Sequence, residues 1–342
     1  MRRPILNRGR IQWMGMLILT LALAGCGGGG DGDGGGGQAG SRFIVVGDHE
    51  ARSSNDATSW TDLTFSGMYY DVNLQGVAYG NGRFVAVGYG LGIGGRAVYT
   101  SDGGATWGIT SPSGNITLYD IAFGNGKFIA IGAGTGTCWF GISTDGNTWT
   151  PVTVPPSCYF IHGIAYGNGT FVVVGTTSST QTIWYSMDDG ATWTTASITT
   201  AIGSMTFSGV AYGNGQFVAV GSNETTDYPQ AAYSTNGTSW SVSSMGPSSI
   251  SYWPADVTYG DGRFVAVGQQ PFQSGYAWWS ENGGVTWSPV NVGGRRLSGI
   301  GFGDGRFAAV GELGVILWST TGESWTSGSS SGNWLHDVAY GP

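Results

Sequence analysis

Few side chains in this sequence could do chemistry unaided. Apart from Asp31 and Asp33 in a Gly-rich stretch and positions that recur along the chain, its carboxylates are Asp48, Glu50, Asp62, Asp71, Glu224, Asp227 and Glu312. Cleaving a glycoside would need two of them at a set separation, and no spacing singles out a pair. The histidines, His49, His162 and His336, lack the spacing of a ligand set, so no metal is expected. Arg52, Arg96, Arg295 and Arg296 could converge on a carboxylate or phosphate, because each guanidinium offers a fork of donors. The alternative is that each is solvated or paired locally. Gly90-Leu-Gly-Ile-Gly-Gly95 has the spacing of a dinucleotide loop, but a strand follows it where a helix is needed. No cofactor is expected. Aromatic rings are the richer resource, with 15 Trp in the chain, and ring faces stack well on sugars and partner side chains.

The scaffold that must position these groups is made of short strands. Gly supplies 64 of the 342 residues, and only 10% are charged, against about 25% in ordinary soluble proteins. Beyond the first residues no stretch keeps a 3.6-residue apolar period, so helices are not expected. From Arg42 onward one unit of about 44 residues recurs, the size of a four-stranded propeller blade. Its first half is Gly76-Val-Ala-Tyr-Gly-Asn-Gly-Arg-Phe-Val-Ala-Val-Gly88, repeated from Asp120, Gly163, Gly209, Asp256 and Gly299. The Gly-Asn-Gly or Gly-Asp-Gly centre is what a tight hairpin with positive φ demands. Its second half is a strand and a box ending in Trp107, then in Trp149, Trp193, Trp240, Trp287 and Trp325.

The two ends complete one more unit. Arg42-Phe-Ile-Val-Val-Gly47 is a strand B with no strand A before it, and His336-Asp-Val-Ala-Tyr-Gly341 is a strand A with no B after it. Joined, they predict an all-β, seven-bladed β-propeller of four-stranded antiparallel blades. The C-terminal strand A joins the N-terminal blade and closes the ring, which hides edge strands that would otherwise invite pairing. The expected organisation is a leader over 1–25, a tether over 26–41 and the propeller over 42–342.

The box Thr100-Ser-Asp-Gly-Gly-Ala-Thr-Trp107 and its copies resemble the Asp-box (BNR) repeat of sialidases and related propellers. By that resemblance Asp56, Asp102, Asp145 and Asp188 are structural, capping N–H groups of the C–D turn. Asn236, Asn282 and Thr321 depart from Asp. Sialidases use an Arg triad, a Tyr–Glu pair and an Asp acid, with an Arg-Ile-Pro motif near the first strand. Here that strand reads Arg42-Phe-Ile-Val, so no catalytic residue is assigned.

The N-terminus reads as an export signal. Arg2, Arg3, Arg8 and Arg10 precede an apolar run from Trp13 to Leu23 that is too short to cross a bilayer. The run ends in Leu23-Ala24-Gly25-Cys26, which resembles the lipobox of bacterial lipoproteins. That likeness implies cleavage before Cys26, a diacylglycerol on its thiol, and residence in the cell envelope, with the outer membrane or surface favoured. Residues 27–40 are nearly all Gly and read as a flexible tether. Losing the leader's four arginines leaves nine basic residues against 21 acidic ones, a net charge of −12. Nucleic acid is therefore not expected as a partner.

Strand direction places A–B turns and boxes at one end of the ring, the bottom, and B–C and D–A loops at the other, the top. Five bases share one bottom position, Arg42, Arg83, Lys127, Arg263 and Arg306, with Thr170 and Gln216 in the remaining blades. They either pair with the boxes or attract anionic head groups. At the top, the residues before strand A should ring the channel mouth. They include His162 and His336, which fall in nearly opposite blades, and Phe160, Trp253, Arg296 and Trp334. Nearby loops add Tyr159, Tyr252, Phe272 and Tyr276. Cys138 and Cys158 lie at the top of one blade and should pair in an oxidising compartment. The sequence thus supports a monomeric, non-catalytic binding or assembly module with a protein or glycan on its top face. A sialidase-like glycoside hydrolase and a stalk protein without a small ligand remain open.

Overall fold

In blade after blade strand B is apolar on both sides, as in Phe84-Val-Ala-Val87, where every residue is buried. A strand covered on both faces needs neighbours on both, and a ring of radial sheets supplies them. The computed structural model describes residues 41–342 other than 65–71, 93, 113, 135–136, 156, 199–204, 224, 247–250, 271–273 and 329. The leader, Cys26, the tether, Asp71, Glu224 and Phe272 lie outside the described residues.

Seven sheets surround a central channel, each running A-B-C-D outward. In blade 2 these strands are Val72–Gly80, Arg83–Gly90, Gly94–Thr100 and Gly108–Thr110. The strands A pack side by side around the channel, and the last, Leu335–Gly341, packs against those of both blade 7 and blade 2. That strand is also the inner partner of Arg42–Gly47, with Val45 opposite Val338 and Ile44 opposite Ala339. The expected ring closure is therefore present. Asn81 (φ 49°) and Gly82 (φ 73°) form the left-handed pair that the A–B turn required.

Two features depart from expectation. Blade 5 has a fifth, outermost strand, Ser197–Ile198, which runs parallel to its strand D, Ser239–Ser244. Strand A also extends further towards the top than the repeat suggested. Asn73 and Gln75 lie inside Val72–Gly80, and Phe160 and His162 lie inside Cys158–Gly167.

Blades meet through close backbone approach. In all seven, the Gly that ends strand A lies against an aromatic ring of the next blade. A Cβ on Gly303 would fall 2.0 Å from the Tyr340 ring, and one on Gly341 would fall 2.4 Å from Tyr79, across the seam. Only Gly fits there. Inter-blade cores include Trp193 set edge-on to Phe140 of the preceding blade, with ring centroids 5.0 Å apart.

Candidate functional site

The bottom face is a locked structure. Asp56 accepts the Thr58 and Ser59 N–H groups at 2.9 and 3.1 Å, and Asp145 accepts those of Asn147 and Thr148 at 2.9 and 2.8 Å. Asp102 and Asp188 each take one turn N–H at 2.9 Å, from Thr106 and Thr192. Asn236 and Asn282 cap the same way, which explains why Asp is dispensable there. The bonds from Thr192 hold the Asp188 carboxyl down at about 2. For Asp102 burial pushes upward, but its hydrogen bonds from Thr106 and Thr100 outweigh it and leave the group at about 2.

The shared bases reach across to the next blade's box, and they do so mainly through backbone carbonyls. Arg42 donates to Gly103 O at 2.9 Å, Arg83 to Asp145 O at 2.7 Å and Arg306 to Asp56 O at 3.0 Å. Lys127 instead meets the Asp189 carboxylate at 3.0 Å. Arg263 bonds to Thr321 O and pairs with Glu281 and Glu323. These bases stitch blades together.

The top face opens on the channel mouth, and the feature that builds it is a β-bulge. Strand A of every blade breaks register at one shared position, where the extra residue is Gln75, Tyr119, His162, Ser208, Ala255, Ser298 or His336, and blade 4 breaks a second time at Tyr159. These are the residues expected one step before strand A. A bulge kinks the strand and re-aims one side chain.

Beneath the bulges lie three carboxyls that sequence reasoning passed over. Asp120, Asp256 and Asp337 are fully buried at one repeat position, where the other blades carry Gly76, Gly163, Gly209 and Gly299. Asp337 accepts the N–H of Val338 at 2.7 Å and that of Val77 in the next blade at 2.8 Å. Asp120 does the same for Ile121 and Ile164, and Asp256 accepts Ile300 at 2.8 Å. Each carboxyl staples two blades, and its ring neighbours on either side are Gly, which leaves room for it. Burial raises all three well above the usual carboxylate range, and repulsion from Asp337 adds to this at Asp120 and Asp256. The alternation of Asp with Gly was the available signal.

The mouth itself has two unlike sides. On blades 3 and 4, Phe160 sits between Tyr119 and His162, with centroids 5.1 and 5.0 Å away, and Tyr159 beside it is exposed. Burial pushes the His162 imidazole down to about 4, so it is neutral at pH 7. Cys158, which begins this strand, is bonded to Cys138 as expected. A closed loop of that size (sequence separation 20) stabilises by about 3 kcal/mol on the chain-entropy model, and it anchors the segment bearing Tyr159 and Phe160.

On blades 7 and 1, the Arg296 guanidinium lies over the Trp334 ring at 4.5 Å, and His336 stacks beside that ring. Trp334 donates to Ser298 Oγ at 2.9 Å, and His336 Nε2 lies 2.8 Å from Asp48 Oδ1. Burial lowers the Arg296 pKa, and the nearby Glu312 carboxylate opposes this.

Other candidates are placed elsewhere. Arg52 bonds to Asp62 at 2.7 Å and lies 3.7 Å from Glu50. Arg96 bonds to Ser111 Oγ at 2.7 Å within its own blade. The arginines are thus engaged locally. Tyr252 is buried against Tyr276 and Trp278, so it belongs to the core of blade 6. Trp253 points its indole N–H to Asp227 at 3.3 Å.

No family model and no curated protein sequence matches the chain. Among solved structures it is similar to YCF48 bound to a D1 peptide, at 15% identity and a TM-score of 0.53, with 84% of this chain and 83% of that one covered. It is also similar to apo AztD from Citrobacter koseri, at 11% identity and a TM-score of 0.59, covering 88% and 98%. What they share is the fold.

Proposed function

We propose that the chain is an exported, lipid-anchored binding module that holds a protein or glycan at the mouth of its channel without transforming it. The observation that carries this reading is the aromatic row Tyr119–Phe160–His162, set beside exposed Tyr159 and facing the Arg296–Trp334 pair around one opening. Rings in fixed positions offer large contact area at low entropic cost. The top-face carboxylates Asp48 and Asp227 are committed to His336 and Trp253, and Asp62 on the outer strand of blade 1 to Arg52, which favours holding over cleaving. The likeness to a propeller bound to a peptide points the same way.

The test is capture by the propeller from Ser41 onward on a glycan array and from an envelope extract. Phe160→Ala and Arg296→Ala should each weaken capture of the partner by about tenfold or more, as loss of an interface anchor does. Full capture by both variants would remove the site from the mouth. The anchor is tested separately. Cys26→Ser should shift the full chain from the membrane fraction to the soluble one, since stable attachment takes at least two acyl chains. A variant that stays with the membrane would show that Cys26 is not the attachment point.

A further inference from the structure

Between blades 5 and 6, on the outer part of the ring, lies an open groove of about 600 Å³. One wall is Tyr233, Val242, Ser243 and Ser244 of blade 5, and the other is Val285, Thr286, Trp287 and Pro289 of blade 6. The equivalent place one blade earlier is occupied by the chain itself. There Ser197 and Ile198 run parallel to strand D of blade 5 and pair with Ser239 and Trp240. The Ser197 N–H donates to Thr238 O at 2.8 Å. Ile198 packs into a cluster with Tyr185, Trp240 and Val242.

The repeat maps this pairing onto the groove residue by residue. Thr238-Ser-Trp240 and Val285-Thr-Trp287 are the last three residues of their boxes, and Tyr185 and Tyr233 hold the same place in strand C. Pro289 stands two residues past its box Trp, as Val242 does. The floor that receives Ile198 in blade 5 therefore has its counterpart in Tyr233, Trp287 and Pro289. The backbone that pairs with Ser197 has its counterpart in Val285 to Trp287. Among the described residues those of blade 6 pair with no strand, since strand D begins at Ser288. Val285 is 42% exposed.

We propose that this groove docks an extended segment of a partner protein, added parallel to Thr286–Trp287 as an outermost strand, with one aliphatic side chain where Ile198 sits in blade 5. The residues lining the groove carry no charge, so the segment is uncharged. Adding a strand to a sheet edge draws affinity from backbone hydrogen bonds and selectivity from one side-chain pocket.

The probe is a dye-labelled peptide of the chain's own residues 194–200, Thr-Thr-Ala-Ser-Ile-Thr-Thr, titrated into the full chain. It should bind saturably and slow hydrogen exchange at the Trp287 amide; the Thr286 amide is already held by Asn282. Replacing the peptide's Ile by Asp, or Val285→Arg in the protein, should weaken it about tenfold or more, whereas Leu91→Arg on the top face should leave it unchanged. Equal binding of the Asp peptide, or binding that survives Val285→Arg, overturns the proposal. So does slow exchange at Trp287 in the free chain, because the edge would then be covered already. Self-association of the full chain that Val285→Arg abolishes would name a second copy as the occupant and would equally overturn it.

Discussion

Deletion of Leu335–Pro342 should abolish cooperative folding. The segment supplies strand A of blade 1, and its Leu335, Val338 and Tyr340 are buried. Three such side chains stabilise by roughly 5 kcal/mol or more together, while a whole domain is stable by only about 5–15 kcal/mol. The deletion also strips the cover from Phe43, Ile44, Val45 and Val46, all fully buried in the intact ring. An uncovered apolar edge strand pairs with other chains. The expected result is a product that aggregates on expression and shows no sharp thermal transition. A deleted chain that stays soluble and melts within a few degrees of the intact protein would refute the closure argument.

The second large effect is expected at Asp337. Replacing it by Ala leaves the N–H groups of Val77 and Val338 without their acceptor, in a fully buried place. An orphaned buried donor costs about 1–3 kcal/mol, so Asp337→Ala should lose about 2–6 kcal/mol, with Asp337→Asn losing less because one acceptor oxygen remains. The pH dependence separates the two variants. Burial raises the carboxyl's pKa in the folded state. Its contribution is then fully present below the unfolded value, roughly 3.9, and is lost as pH rises towards the folded value. Asn does not titrate, so its deficit against the native chain should shrink as pH is raised from about 4 through neutrality. The Asp boxes act in the opposite sense. Asp102 and Asp188, held down at about 2, stabilise above the unfolded value and lose that contribution as pH falls through about 2. Denaturant titrations of the native chain and both variants across this range check the sign. A gap between native and Asn chains that does not change with pH would contradict it.

The repeat made the architecture legible because each blade writes the same hydrophobic and turn pattern. Arg42–Gly47 and His336–Gly341 then closed the ring by what each lacked. The disulfide could be read because both Cys fell at the same end of the ring. Cys158 begins strand A of blade 4, however, so the bond links that blade to Cys138 of blade 3 and does not lie within one blade. Less could be read where structure comes from contacts between units. Tyr252 looks like a loop aromatic in sequence, yet it packs on Trp278, a contact no local pattern encodes. The parallel pairing of Ser197–Ile198 with blade 5 is equally non-local. The bulge residues were picked out by position, but the bulges were not, since they arise from register against strand B. Asp120, Asp256 and Asp337 were hidden because they looked like ordinary repeat positions. Their meaning appears only when the next blade's N–H is in place.

Arg42 lies opposite Gly341 in the seam, so the path into the propeller and the path out of it share one corner of the bottom. A fused domain added after Pro342 would emerge beside Arg42. Cargo carried that way would ride under the ring and leave the far rim unobstructed.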